Sequence, residues 1–313
     1  LETARDLEKD GVEVVYLPVS REGFVDLKKL KDALNERTVL VSIMYANNEI
    51  GTIQPITEIA GIMRNFRNSK QIQNSKSNPL NPSGYSLYPI FHTDAVQAFQ
   101  FLGCNVDTLG VDLMTLSAHK IYGPKGIGAL YVRGFSQEGI GSGAKNSLHP
   151  SGYWLYPMVT GGGQEFGLRS GTENVPLIVG FAKAAELAVA VRAKEKEKVG
   201  DLRSYFWGKL RAIAPDAERN GGEPALPHIV NVYFPHYSAE EMLMKLDLGG
   251  LAVSAGSACT ARATAPSHVI RALGYGEERA KRSIRFSFGR PTRKGDIDKA
   301  LAVIKNILVK QKS

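Results

Sequence analysis

Cysteine is scarce in this chain: Cys104 and Cys259 are the two among its 313 residues. Two are too few for a disulfide framework and suit a reducing compartment, so a cytoplasmic protein is expected. Long apolar runs are also missing, and none approaches the ~18 residues that a membrane-spanning helix needs. The opening Leu1-Glu2-Thr3-Ala4-Arg5-Asp6 lacks the charged-then-apolar pattern of a secretory leader, and the chain does not begin with Met. Hydrophobic residues make up 43% and charged residues 22%, ordinary globular usage that argues against disorder, collagen-like repeats and coiled coil. The net charge is +8, yet acids and bases mostly alternate, as in Lys194-Glu195-Lys196-Glu197-Lys198, the pattern of a solvated helix face. With no aromatic–basic repeat, nucleic acid is not an expected partner. The densest basic stretch, Arg279 to Arg285, suits an anionic ligand instead.

At roughly 150 residues per domain the length suggests two domains. Strand-like and helix-like segments alternate in the first half. Strands are expected at Val12–Val19, Thr38–Tyr45, Ile90–Thr93, Val111–Ser117 and Gly128–Arg133, with helices at Val25–Leu34 and Ile56–Phe66. Thr38–Tyr45 is nearly continuous in apolar residues, as in a strand buried on both faces of a parallel sheet. The rhythm predicts an α/β fold with a mostly parallel sheet covered by helices. A long helix from Pro176 to about Ile213 then leads into a smaller α/β or α+β unit. Its expected strands are Ile229–Phe234, Leu251–Ser254 and Ser283–Phe288, and its helices Ala239–Leu246, Ser267–Leu273 and Lys294–Val309. The expected division is therefore 1–178 and 179–313. Two segments, 68–89 and 135–160, are rich in Ser, Asn, Gly and Pro and read as irregular insertions. They carry similar strings, NPLNPSGYSLYPI and NSLHPSGYWLYPM, identical at 9 of 13 positions; a duplicated surface insertion explains them.

Polar groups gather where expected strands end, which is where open α/β sheets bind ligands. Ser117-Ala118-His119-Lys120 follows one strand, and a lysine there can form a Schiff base with an aldehyde cofactor or simply lie on the surface. His92-Thr93-Asp94-Ala95-Val96-Gln97 follows another. Asp94 can pair with a pyridine nitrogen and Gln97 with the ring hydroxyl, or Asp94 can cap a short helix. Asn47-Asn48-Glu49-Ile50-Gly51 ends a third strand and reads equally as a turn. Cys259 lies among small polar residues that favour a reactive thiol, whereas Cys104 reads as structural. Arg285 sits mid-strand opposite its apolar neighbours and needs either a salt-bridge partner or a bound carboxylate. The run Gly161 to Thr172 can cradle phosphate. No metal site is expected.

These strings together resemble the cysteine desulfurases, pyridoxal-phosphate enzymes of the class-V aminotransferase group. The matching stretches are VSIMYANNEIGTIQPI, FHTDAVQA, LSAHKIYGPKGIGALYVR, GGGQEFGLRSGTENVP, SAGSACT and IRFSFGRPT. The resemblance implies a fold type I enzyme with pyridoxal 5'-phosphate on Lys120. Asp94 and Gln97 would then lie at the pyridine nitrogen and ring oxygen, and Asn48 near the ring. Ser117 and His119 would reach the phosphate, and Thr172 would do so from the partner subunit of a homodimer. Cys259 would accept sulfur from L-cysteine, Arg285 and Asn48 would bind the substrate, Arg285 at its carboxylate, and His119 and Lys120 would stand at the reacting centre. Sulfur would pass on to an acceptor such as an iron–sulfur scaffold or a tRNA-thiolation protein. Family members carry further N-terminal residues with a phosphate loop and a stacking His, so the chain resembles an N-terminally truncated member. Phe166 stands where the family usually has Arg. The span between Cys259 and Ser267 agrees with the longer cysteine loop of the housekeeping subgroup. Alternatives left open are a selenocysteine lyase or another class-V enzyme, and an inactive fragment that serves as a dimerisation or binding module.

Overall fold

The computed structural model describes residues 1–74, 88–133, 155–256 and 266–310. They form two compact units, one of residues 37–46 and 55–194, the other of 1–36, 47–54 and the chain from Glu195 onward. The division falls within the long helix after Lys194, and the two N-terminal stretches group with the C-terminal half.

The first unit holds a four-stranded sheet in the order β1 (Leu40–Met44), β2 (Ile90–Asp94), β3 (Leu113–Ser117) and β4 (Gly128–Val132). The first three strands run parallel and β4 lies antiparallel at the edge, so the expected mostly parallel sheet is present. β1 alternates more than its composition suggested: Val41 and Ile43 are buried, whereas Leu40 is 48% exposed. The buried side chains all point to one face, as the period of two dictates. Helix α3 (Ile56–Asn74) buries Ile56, Ile59, Ala60 and Met63, a stripe at helical spacing. It runs through the start of the first expected insertion, because residues 68–74 continue the helix. Residues 75–87 of the first insertion and 135–154 of the second lie outside the described residues. The short helix α4 (Val106–Leu109) is capped by Asn105, whose Oδ1 accepts from the backbone of Asp107 and Thr108. It stops at Gly110, left-handed at φ 70°, where an added Cβ would sit 2.9 Å from that of Ala60.

Helix α5 (Val175–Ile213) begins in this unit, where Ala184 and Ala188 pack with Ile121. In the other unit, three antiparallel strands run in the order β5 (Glu218–Asn220), β6 (Ile229–Tyr233) and β7 (Ser283–Ser287). Their buried side chains meet the end of α5, α6 (Ala239–Leu248) and α9 (Lys294–Lys310) around Phe206, whose ring centroid is 4.8 Å from Phe286 and 5.4 Å from Phe288. The short helices α7 (His268–Ile270) and α8 (Gly276–Ala280) lie between α6 and β7. The same unit contains two N-terminal helices, α1 (Glu2–Lys9) and α2 (Leu27–Ala33), the latter capped by Asp26.

Two expected strands do not form. Over 12–18 no strand is formed and no described strand pairs with the segment, with Val15 57% exposed; Val19 makes a bridge to Val25. At 251–254 only Ser254 pairs, with Arg285. β-branched composition marks both places, but a strand needs a neighbouring edge along its length.

Candidate active site

Because β1, β2 and β3 are parallel, their carboxyl ends share one edge. Met44 pairs with Asp94, and Asp94 with Thr115 two residues before Ser117. The half-buried Asp94 carboxylate accepts from Val96 N at 2.9 Å, which starts the turn that carries Gln97. Asp94 therefore does cap its own turn, as the simpler reading allowed, while keeping its place at the strand end. After β3 the chain makes a tight 3-10 turn over Ala118–Ile121 that ends in a left-handed Tyr122. Gly123 is required there: a Cβ would lie 2.9 Å from the Ala118 carbonyl oxygen. The turn exposes His119 and Lys120 and sets Ser117 Oγ 2.8 Å from His119 Nδ1. Partial desolvation, with Lys120 and Lys125 nearby, pushes the His119 pKa below its ordinary value.

His92, inside the quoted string but without an expected role, ties the sheet together. Its Nδ1 is 2.7 Å from Ser42 Oγ on β1 and its Nε2 2.6 Å from Thr115 Oγ1 on β3. Burial lowers its pKa, opposed by the charge of Asp94. The signal was its i−2 spacing from Asp94, which puts both on one face of β2.

The glycine-rich segment is a compact loop. Gly161, Gly167 and Gly171 have positive φ, as do Glu165 and Phe166, conformations that cost non-glycine residues energy. Ser170 Oγ donates to Gly162 O at 2.7 Å, and Gly171 N to Gln164 Oε1 at 3.2 Å. Thr172 follows, exposed.

Asn48 and Arg285 belong to the second unit and meet there: Arg285 Nη1 donates to the Asn48 carbonyl at 2.7 Å. In the turn before it, Asn47 Oδ1 accepts from Glu49 N and Ile50 N at 2.8 and 3.0 Å, the turn chemistry its sequence suggested. Cys259 lies outside the described residues. Cys104 is half-buried, its thiol pushed up to about 12 by burial, which leaves it unreactive at neutral pH. Among the described residues no group of three or more His, Cys, Asp or Glu gathers as a metal site, and no helix is long and apolar enough to cross a membrane.

The profile of the class-V aminotransferases matches residues 1–71 and 88–300. Cysteine desulfurase IscS of Dictyoglomus turgidum is 43% identical over 311 residues, covering 99% of this chain and 69% of that relative. The chain belongs to the cysteine desulfurases of the class-V aminotransferase family. Solved structures agree with this desulfurase fold. A NifS-like protein superposes with a TM-score of 0.79 at 32% identity, covering 98% of this chain and 71% of that one. SspA in complex with cysteine gives 0.67 at 33% identity, with 92% and 70% covered. The gap in the family match, 72–87, coincides with the first of the two insertions.

Proposed function

We propose that this cysteine desulfurase holds pyridoxal 5'-phosphate at the carboxyl edge of its parallel sheet and moves the sulfur of L-cysteine onto Cys259. The observation that carries the reading is the strand register, which aligns the Asp94 carboxylate with the turn bearing Ser117, His119 and Lys120. Those side chains fit the group: an amine for an aldehyde, a carboxylate for a pyridine nitrogen, and a hydroxyl with an imidazole for a phosphate. When bound, the cofactor supplies an electron sink for the substrate carbon. Lys120 holds it and moves protons at the substrate carbon; Asp94 keeps the ring nitrogen protonated, and Gln97 and Asn48 bind around the ring. Ser117 and His119 bind phosphate, joined by the partner subunit's Thr172 in a homodimer with a shared site. Arg285, already donating to the Asn48 carbonyl, has the planar fork that grips a carboxylate.

The net step balances without an added oxidant. The substrate carbon–sulfur bond breaks, a sulfur–sulfur bond forms on Cys259, and the carbon takes a proton, leaving alanine and an enzyme persulfide. An iron–sulfur scaffold or a tRNA-thiolation protein in the cytoplasm would receive that sulfur. In place of the expected 1–178 and 179–313, the unit of 37–46 and 55–194 serves as the cofactor domain and the unit that includes the chain from Glu195 onward carries the cysteine segment. The test is mass spectrometry after addition of cysteine, which should find one extra sulfur on the Cys259 peptide and none on that of Cys104. Cys259→Ser should retain the visible absorbance of bound cofactor yet form no persulfide, while Cys104→Ser behaves as wild type. Alanine accumulating without sulfur on Cys259 would overturn the assignment.

A further inference from the structure

Both ends of the segment that carries Cys259 reach described residues of the second unit, and both are tied to one stretch, Asn48-Glu49-Ile50. On the N-terminal side, Ser254 and Arg285 exchange backbone hydrogen bonds of 3.2 and 2.7 Å, and Arg285 Nη1 holds the Asn48 carbonyl. On the C-terminal side, Ser267 Oγ donates to Glu49 Oε2 at 2.5 Å and accepts from Ile270 N, capping α7. Glu49 is 1% exposed, and its own carbonyl accepts from Asn231 Nδ2 at 3.2 Å. Ile50 packs beside it against Ile270 and Leu273. A buried carboxylate is costly unless it is hydrogen-bonded, and here a donor comes from Ser267, on the C-terminal side of Cys259.

We infer that Glu49, acting through Ser267, is a positioning residue for sulfur transfer: it fixes the C-terminal root of the Cys259 segment to the dipeptide that Arg285 also holds. The inference rests on the proposed role of Cys259. Loss of the Glu49–Ser267 bond leaves the Asn231 and Arg285 contacts in place. It therefore slows delivery of the thiol while substrate binding is kept.

Ser267→Ala should lower kcat for persulfide formation about tenfold, with KM for cysteine within about twofold of wild type. It should also speed hydrogen exchange of the Ile270 amide, which donates to Ser267 Oγ, a readout that needs no cofactor. Ser267→Thr keeps the hydroxyl and Glu49→Gln keeps an acceptor oxygen, so both should restore kcat to within about threefold of wild type. Ser267→Ala with the wild-type kcat, whatever its thermal stability, would overturn the anchor alone. An equal loss in Ser267→Thr would do the same. If wild-type Cys259 gains no sulfur, the reading of Cys259 fails first and the positioning role falls with it.

Discussion

At the scale of single residues, two neighbouring strings place opposite demands on charge. Asp94 is a half-buried carboxylate at a strand end, whereas His119 sits in a turn with Lys120 and Lys125. Partial desolvation, and then their positive charge, favour the neutral imidazole, whose Nδ1 lies 2.8 Å from Ser117 Oγ. Nuclear magnetic resonance of the ring should show His119 titrating below its ordinary 6.5. Lys125→Gln should move the midpoint upward, because one of the two repelling charges is gone. An unchanged midpoint would leave desolvation and the Lys120 charge as the causes. Burial likewise raises the Cys104 thiol to about 12, which is consistent with the proposal that Cys259 takes the sulfur.

Among the elements, the parallel sheet is held at the end opposite the site by Asp112, just before β3. Its Oδ2 accepts from Phe91 N at 2.8 Å and pairs with the Arg67 guanidinium from α3, and Asp112 N donates to Phe91 O at 2.8 Å. Asp112 is 3% exposed, so removing it leaves a guanidinium and a backbone N–H short of a partner. Asp112→Ala should cost about 3–5 kcal/mol in urea denaturation. Asp112→Asn keeps an oxygen for Phe91 N and should cost less, about 1–3 kcal/mol. Equal losses would mean that the charge, not the backbone bond, secures this end. The strands on either side keep their register from that end, and register is what aligns Met44, Asp94 and Thr115 at the other.

For the molecule as a whole, the second unit is assembled from three separate stretches of chain. Its contacts close long loops, such as Asn231 to the Glu49 carbonyl, 182 residues apart. What offsets that entropy is an aromatic and aliphatic core centred on Phe206. Phe206 is 1% exposed, and Phe206→Ala should cost about 3–5 kcal/mol through lost burial and a residual cavity. Urea unfolding followed by Trp207 fluorescence gives the value, and a loss below about 1 kcal/mol would show that the core collapses to fill the space.

Local pattern was enough for the strands that became β1, β2, β3, β4, β6 and β7, for the helical stripe of α3, and for the turn chemistry around Asn47. It also marked which residue types stand at the strand ends. Those signals lie within windows of a few residues, where side-chain period and hydrogen bonds to the nearby backbone decide. Tertiary structure decided the rest. The 12–18 stretch has strand composition, but among the described residues no strand pairs with it. Arg285 needed a partner, and that partner is a carbonyl 237 residues away. Glu49 looked like one polar residue in a turn until burial and Ser267 gave its carboxylate a task. No window of sequence contains these pairs, because hydrogen-bond partners and burial are set by which distant segments the folded chain brings together.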